Sequence, residues 1–288
     1  MNARFTEIRP YRPFAFADLT ELWERRDLIW ILALRDIRTR YKQSVFGIAW
    51  VMVPPLLTAC IFYVLFGILL GPGQRPTVPG VPYILSTFCA LVPWQLFATS
   101  LRYSGNSLVS NRSLISKVYF PRLVVPIAPI VVALADFAVA LVVLFALMIA
   151  YGLAGDFRFD PGARLLLLPV FAFLAAMTSL GLSLWSSALS AVYRDFSFLS
   201  PFTIQILMYL TPVLYTYDSI AHSLGQETLA VYGLNPMVAA VEGFRWALLG
   251  GAPPDAQLIL SAMAVNAVLL LGGIIFFHRM EQTIVDVI

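Results

Sequence analysis

From Val45 to Gly71, twenty-seven consecutive residues carry no charge. The eight residues before Gln43, RDIRTRYK, set four cations (Arg35, Arg38, Arg40, Lys42) against one acid. About 20 apolar residues suffice to cross a bilayer. A cationic collar directly before such a segment tends to stay on the cytoplasmic side. This stretch therefore constrains compartment, orientation and depth for everything that follows.

Composition agrees. Hydrophobic residues make up 60% of the 288, charged residues 12%, and the mean hydropathy is +0.82. Soluble domains average roughly 25% charged residues, so the expected class is an all-α polytopic membrane protein. The first forty residues are polar and charged, without the apolar core and small-residue cleavage site of a signal peptide. Cys60 and Cys89 both fall in apolar segments and read as packing residues, because a metal site needs three or four ligands.

In chain order, Met1–Phe16 reads as a loosely held polar arm, and Asp18–Glu21 has the form of a capping box. Leu19, Leu22, Trp23, Trp30, Ala33, Leu34, Ile37 and Tyr41 then follow nearly one helical face. Two settings suit this amphipathic helix: the membrane–water interface or a cytoplasmic protein surface. Six apolar spans come next, at Val45–Leu70, Tyr83–Leu101, Leu123–Leu153, Leu165–Ser190, Phe198–Tyr217 and Gln257–Phe277. With the N-terminus cytoplasmic, fifteen Lys and Arg lie inside and four outside, a strong positive-inside bias that places both termini in the cytoplasm. The divisions expected are 1–44 (arm and interface helix), 45–277 (membrane domain) and 278–288 (cytoplasmic tail).

Two connections stand out. Arg102–Arg122 has four cations and no acid, and Ser107–Val118 can form a short helix before Pro121. In the outer loop, Asn235-Pro236 starts a helix that Gly250-Gly251 stops near Leu249. At about 1.5 Å per residue it is too short to cross, so it is interfacial or re-entrant. Its Glu242 and Arg245 read as a local ion pair.

The sequence lacks a phosphate loop and the common metal and nucleophile motifs. His222 and His278 fall at opposite membrane faces. Nothing points to catalysis, to a metal or to nucleic acid. An enzyme acting on lipid-linked sugars needs converging acids or histidines, whereas Asp156, Asp160, Asp218, Glu227, Glu242 and Asp255 are scattered. Asp136 is the clear ionisable residue within a span. It is either a coupling-ion or substrate group or, with no second intramembrane charge to pair it, an interhelical hydrogen bond, which is the reading preferred. A secondary carrier would string several such groups across the bilayer and show an inverted repeat. Aromatics concentrate at Trp50, Phe62, Tyr63, Phe66, Phe88, Trp94 and Phe97, and again at Phe198, Phe202, Tyr209, Tyr215 and Tyr217. Many suit an interfacial belt or the core, while a subset lining a pore would offer flat faces to sugar rings.

Four ordered motifs resemble the permease subunit of type-2 ABC exporters for O-antigen, capsule or teichoic-acid polysaccharides: RDIRTRYKQSVFGIAWVMVPPLL, KVYFPRLVVPI, YRDFSFLSPFTIQILMYLTPVLY and LNPMVAAVEGFRWALLG. The resemblance implies the type-2 exporter fold in the inner membrane. Two permease copies would work with two separate ATPase subunits that hold ATP and Mg. The cargo implied is a polyprenyl-pyrophosphate-linked polysaccharide; a type-2 exporter of small amphiphiles is the alternative. Arg35, Arg38, Arg40, Lys42 and Arg112 would meet the diphosphate head group, although topology and contact with anionic lipids also account for the collar. Trp50, Phe62, Tyr63, Phe66, Trp94, Phe97, Tyr209 and Tyr215 would line the channel. Ser107, Leu108, Asn111, Leu114 and Lys117 would couple to the ATPase, and Met237, Glu242, Phe244 and Arg245 would belong to a gate helix.

Overall fold

The computed structural model describes residues 22–42, 44, 47–69, 78–117, 121–160, 162–221 and 226–287. The N-terminal arm, the Asp18–Glu21 capping box, Val118 and His222 lie outside the described residues. Among those described there are helices and no strands.

Helix α1 (Arg26–Tyr41) precedes the membrane segments. The first span opens with a 3-10 turn (Gly47–Val51), continues as α2 (Val53–Phe62) with Pro54 in its first turn, and finishes as a π-helical stretch (Tyr63–Leu69). Then come α3 (Tyr83–Gly105), the single-turn helices α4 (Ser107–Ser110) and α5 (Arg112–Ile115), and α6 (Val124–Leu153). Helix α7 (Leu168–Val192) is followed by α8 (Arg194–Tyr209), two short helices α9 (Tyr217–Ala221) and α10 (Gln226–Tyr232), α11 (Pro236–Leu249) and α12 (Ala256–Val287).

Among the described residues, five helices are long and apolar enough to cross a membrane: Gly47–Phe66, Tyr83–Gly105, Val124–Leu153, Ala163–Val192 and Ala256–Glu281. The sixth expected span, Phe198–Tyr217, differs. Its helix α8 has 16 residues and ends at Tyr209, reaching about 24 Å at 1.5 Å per residue. Beyond it the backbone turns, and the carbonyls of Val213 and Tyr215 go to a guanidinium instead of to the next helical turn. Past the last expected span, α12 runs on as helix to Val287.

Helices α3 and α7 form the centre. Helix α3 is buried along nearly its whole length, with α2, α6, α7, α8 and α11 around it. The α7 seam is built from small residues (Ala175, Ser179, Ser183, Ser187), which let helices approach closely where lipid offers no hydrophobic drive to associate. One end of the bundle is sealed by a cluster of Leu32 (α1), Leu108 (α4), Val124 (α6), Ala188 (α7) and Ile284 (α12). The helix before the membrane, the basic loop and the last turns of the chain therefore meet at one end. At the other end Val238, Ala239, Leu258 and Ala262 pack together, flanked by Tyr217 and Tyr232.

Helix α1 corrects the expected face. Trp23, Trp30 and Leu34 are exposed, while Leu32 and Ala33 are buried and Leu22, Leu28 and Ile29 pack beside them. With Ile31 also exposed, apolar side chains occupy both sides of the helix. It has a side that packs on the rest of the chain and an apolar outward side. Of the cysteines, Cys89 is core, whereas Cys60 is exposed on the outward side of α2.

Candidate functional site

The collar ends at a cavity. Tyr41 closes α1, and the chain then folds over α3 and α6, enclosing about 340 Å³ between Arg40, Tyr41, Trp50, Gln95, Thr99, Arg102, Tyr103 and Asp136. Asp136 is 7% exposed on the face of α6 that meets α1. Its Oδ2 accepts from Arg40 Nη1 at 2.7 Å and its Oδ1 from the Tyr41 hydroxyl at 2.6 Å. The Arg40 guanidinium also lies 4.1 Å from the centre of the Tyr103 ring, within cation–π range. The hydrogen-bond reading of Asp136 holds, and a charge from outside the spans pairs it as well. Its partner arrives from the collar, 96 residues earlier.

Burial first, and then the neighbouring Asp136 carboxylate, push the Tyr41 phenol up to about 12. Tyr41 therefore remains a hydrogen-bond donor at any physiological pH. Two cations, one carboxylate, two phenols and an indole form a lining that can hold an anionic head group and stack against a ring.

The collar's four cations part company here. Arg35 donates to Asp36 and, at 2.7 Å, to Asn111 Oδ1, so it ties α1 to the basic loop. Arg40 turns inward to Asp136. Arg38 and Lys42 make no ion pair among the described residues, and with Ile31, Leu34 and Thr39 they line an outward groove on α1. Arg112 sits exposed on α5.

The basic loop is two helical turns broken at Asn111 rather than one short helix. Ser107 and Leu108 are buried, which withdraws them from the expected docking surface. Leu114 is half-buried against the end cluster. Val109, Ser110, Ser113 and Lys117 are exposed.

The expected channel aromatics divide as well. Trp94 and Phe97 pack against each other at 5.1 Å inside the core, 3% and 0% exposed, so neither presents a face to a passing molecule. Trp50 and Tyr209 are exposed, and Phe62 stacks on Phe66 at 5.8 Å with Tyr63 half-buried beside them. Tyr215 is committed to hydrogen bonds with the Tyr209 carbonyl and the Tyr232 hydroxyl.

At the opposite end, α11 matches its expected limits. The Asn235 side chain accepts from Met237 N at 3.0 Å, and Gly250, at φ +86°, ends the helix in the left-handed region. Met237 and Phe244 are core. Glu242 and Arg245 form the expected ion pair at 2.7 Å. Sequence reasoning missed the rest of this arrangement: Arg245 is 2% exposed and donates to the carbonyls of Val213 and Tyr215, each at 2.7 Å. Gln95, Thr99, Arg102 and Tyr103 were missed at the collar cavity. The one signal available was the adjacency of a cation and an aromatic, Arg102-Tyr103, at the end of an apolar span.

Comparison with known proteins places these features in context. Residues 27–249 match the family model described as ABC-2 type transporter. The O-antigen export system permease protein RfbA of Myxococcus xanthus is 28% identical over 91% of this chain and 96% of its own length. A Klebsiella pneumoniae protein of the same name is 26% identical over 91% and 95%. The polysialic acid transport protein KpsM of Escherichia coli is 23% identical over 87% and 92%.

Proposed function

The chain belongs to the ABC-2 type transporter family, and from that premise we propose that it is the membrane subunit of an ATP-driven exporter of lipid-linked polysaccharide. The observation that carries this reading is the near full-length similarity to O-antigen and capsule permeases, which covers both ends of the bundle together. Two copies of the chain pair in the inner membrane with two ATPase subunits, where ATP and Mg are bound. Both termini face the cytoplasm, in keeping with the fifteen-to-four cation bias.

In this reading the diphosphate of a polyprenyl-linked glycan is drawn to Arg38 and Lys42 in the open groove. It then reaches Arg40 and Arg102 in the cavity behind, where the diphosphate and Asp136 compete for Arg40. The exposed residues of the basic loop dock on the ATPase, and Arg35 passes loop movement to α1 through Asn111.

The test is to deplete the protein in its host and assay glycan at the surface and, after permeabilisation, inside. Lipid-linked polymer that accumulates inside while the surface loses it is the expected result. Unchanged surface glycan with no internal pool would overturn the reading in favour of a small-amphiphile cargo.

A further inference from the structure

The outer end of the bundle holds a second cavity, of about 420 Å³, within the roughly 300–1,000 Å³ of small-molecule sites. Helix α11 leads to it. Every residue from Pro236 to Leu249 is buried except Glu242 and Trp246. These are four apart, on one face, and both line the cavity, with Gly250 one turn further on. A helix otherwise sealed in protein thus opens a single stripe and fills it with a carboxylate and an indole.

The polar groups of this cavity are only partly used. Glu242 Oε1 accepts from Tyr217 N at 3.1 Å and from Arg245 at 2.7 Å, while Oε2 has no donor among the described residues. Arg245, 2% exposed, also lines the cavity, and its buried Nε has no acceptor among the described residues. Thr216 and Asp218 add further oxygens to the lining.

We propose that this cavity is a saccharide-binding site that takes one or two pyranose rings of the glycan after they leave the membrane. The apolar face of a sugar ring stacks on an indole, and its hydroxyls donate to carboxylate oxygens such as Glu242 Oε2. Two carboxylates against one guanidinium, already engaged with carbonyls, repel a phosphate. The same guanidinium beside Glu242 disfavours a bare metal ion. The site rests on the polysaccharide reading and is distinct in place and charge from the collar cavity.

The experiment uses the full chain in nanodiscs and delipidated fragments of the host's own surface glycan, with binding read by saturation-transfer NMR. Trp246→Ala is expected to weaken binding at least tenfold, Trp246→Phe to retain most of it, and Trp30→Ala, at the other end, to change nothing. A monodisperse elution profile for each variant separates lost binding from lost folding. Equal binding by wild type and Trp246→Ala overturns the site. So does absence of wild-type binding in a host whose surface glycan depends on this chain, and that outcome leaves the export reading standing. A host that keeps its surface glycan after depletion overturns the export reading and the site with it.

Discussion

Replacing Asp136 by leucine strands the Arg40 guanidinium in a partly buried position. Loss of its partner should cost about 1–3 kcal/mol, read as a lower melting temperature of the purified protein in detergent. Arg40→Leu combined with Asp136→Leu should be less destabilised than the two single variants summed, because the pair is coupled through a direct contact. The two collar cations expected to behave alike should therefore separate. Arg38→Gln should lower export at unchanged expression, whereas Arg40→Gln should lower expression as well; equal behaviour in a quantitative blot and a surface-glycan assay would contradict this. Tyr41 adds an alkaline signature. Its phenol is raised from 10.0 to about 12, so its contribution is complete below pH 10 and is lost as the pH rises through about 12. In that window Tyr41→Phe should lose stability less steeply than wild type in alkaline unfolding. The need for Asp136 to find a partner was legible, because a carboxylate in a span must be satisfied. The partner itself was not legible, since an ion pair across 96 residues leaves no periodicity for a local pattern to reveal.

Helix α11 shows what local signals can fix. Its start is set by the Asn235 cap and the proline at its first position, and its stop by Gly250. These are one-residue devices, so its limits could be read directly. Helix α8 shows the opposite. Its end depends on Arg245, 32 residues from the Val213 carbonyl it binds, and an apolar stretch alone makes the helix look longer than it is. Helix α1 was expected to carry one apolar face, whereas its tryptophans point outward and Leu32 and Ala33 pack on the opposite, protein-facing side. The contact between α11 and α7 supplies the test at this scale. A Cβ at Gly243 would fall inside the van der Waals envelope of the Phe171 ring, so the two helices meet at a position that only glycine allows. Gly243→Val should destabilise by about 1–3 kcal/mol through overpacking, seen as earlier thermal aggregation. An unchanged transition would mean that Phe171 can swing away without cost.

At the scale of the whole molecule, the charge bias and the end clusters agree independently. Helix α1, the basic loop and the end of α12 share one buried cluster, and these are the segments that the cation count puts on one side. With Cys60 and Cys89 replaced, Ser110→Cys should react with an impermeant maleimide only after permeabilisation, and Asp156→Cys should react in intact cells. The reverse pattern would invert the protein in the membrane. The all-α membrane class was plain from hydropathy, which is a bulk property, whereas the division into core and outward aromatics depends on how helices turn about their axes and was not. The buried Arg245 also has a kinematic meaning. By clasping two carbonyls beyond α8 while standing on α11, it fastens the exit of one helix to the body of another. A hinge between them would have to break three charge-assisted bonds at once, the one from Tyr217 N to Glu242 among them. Any outward swing of α11 therefore drags the end of α8 with it, and the two open as a single rigid flap rather than as separate leaves.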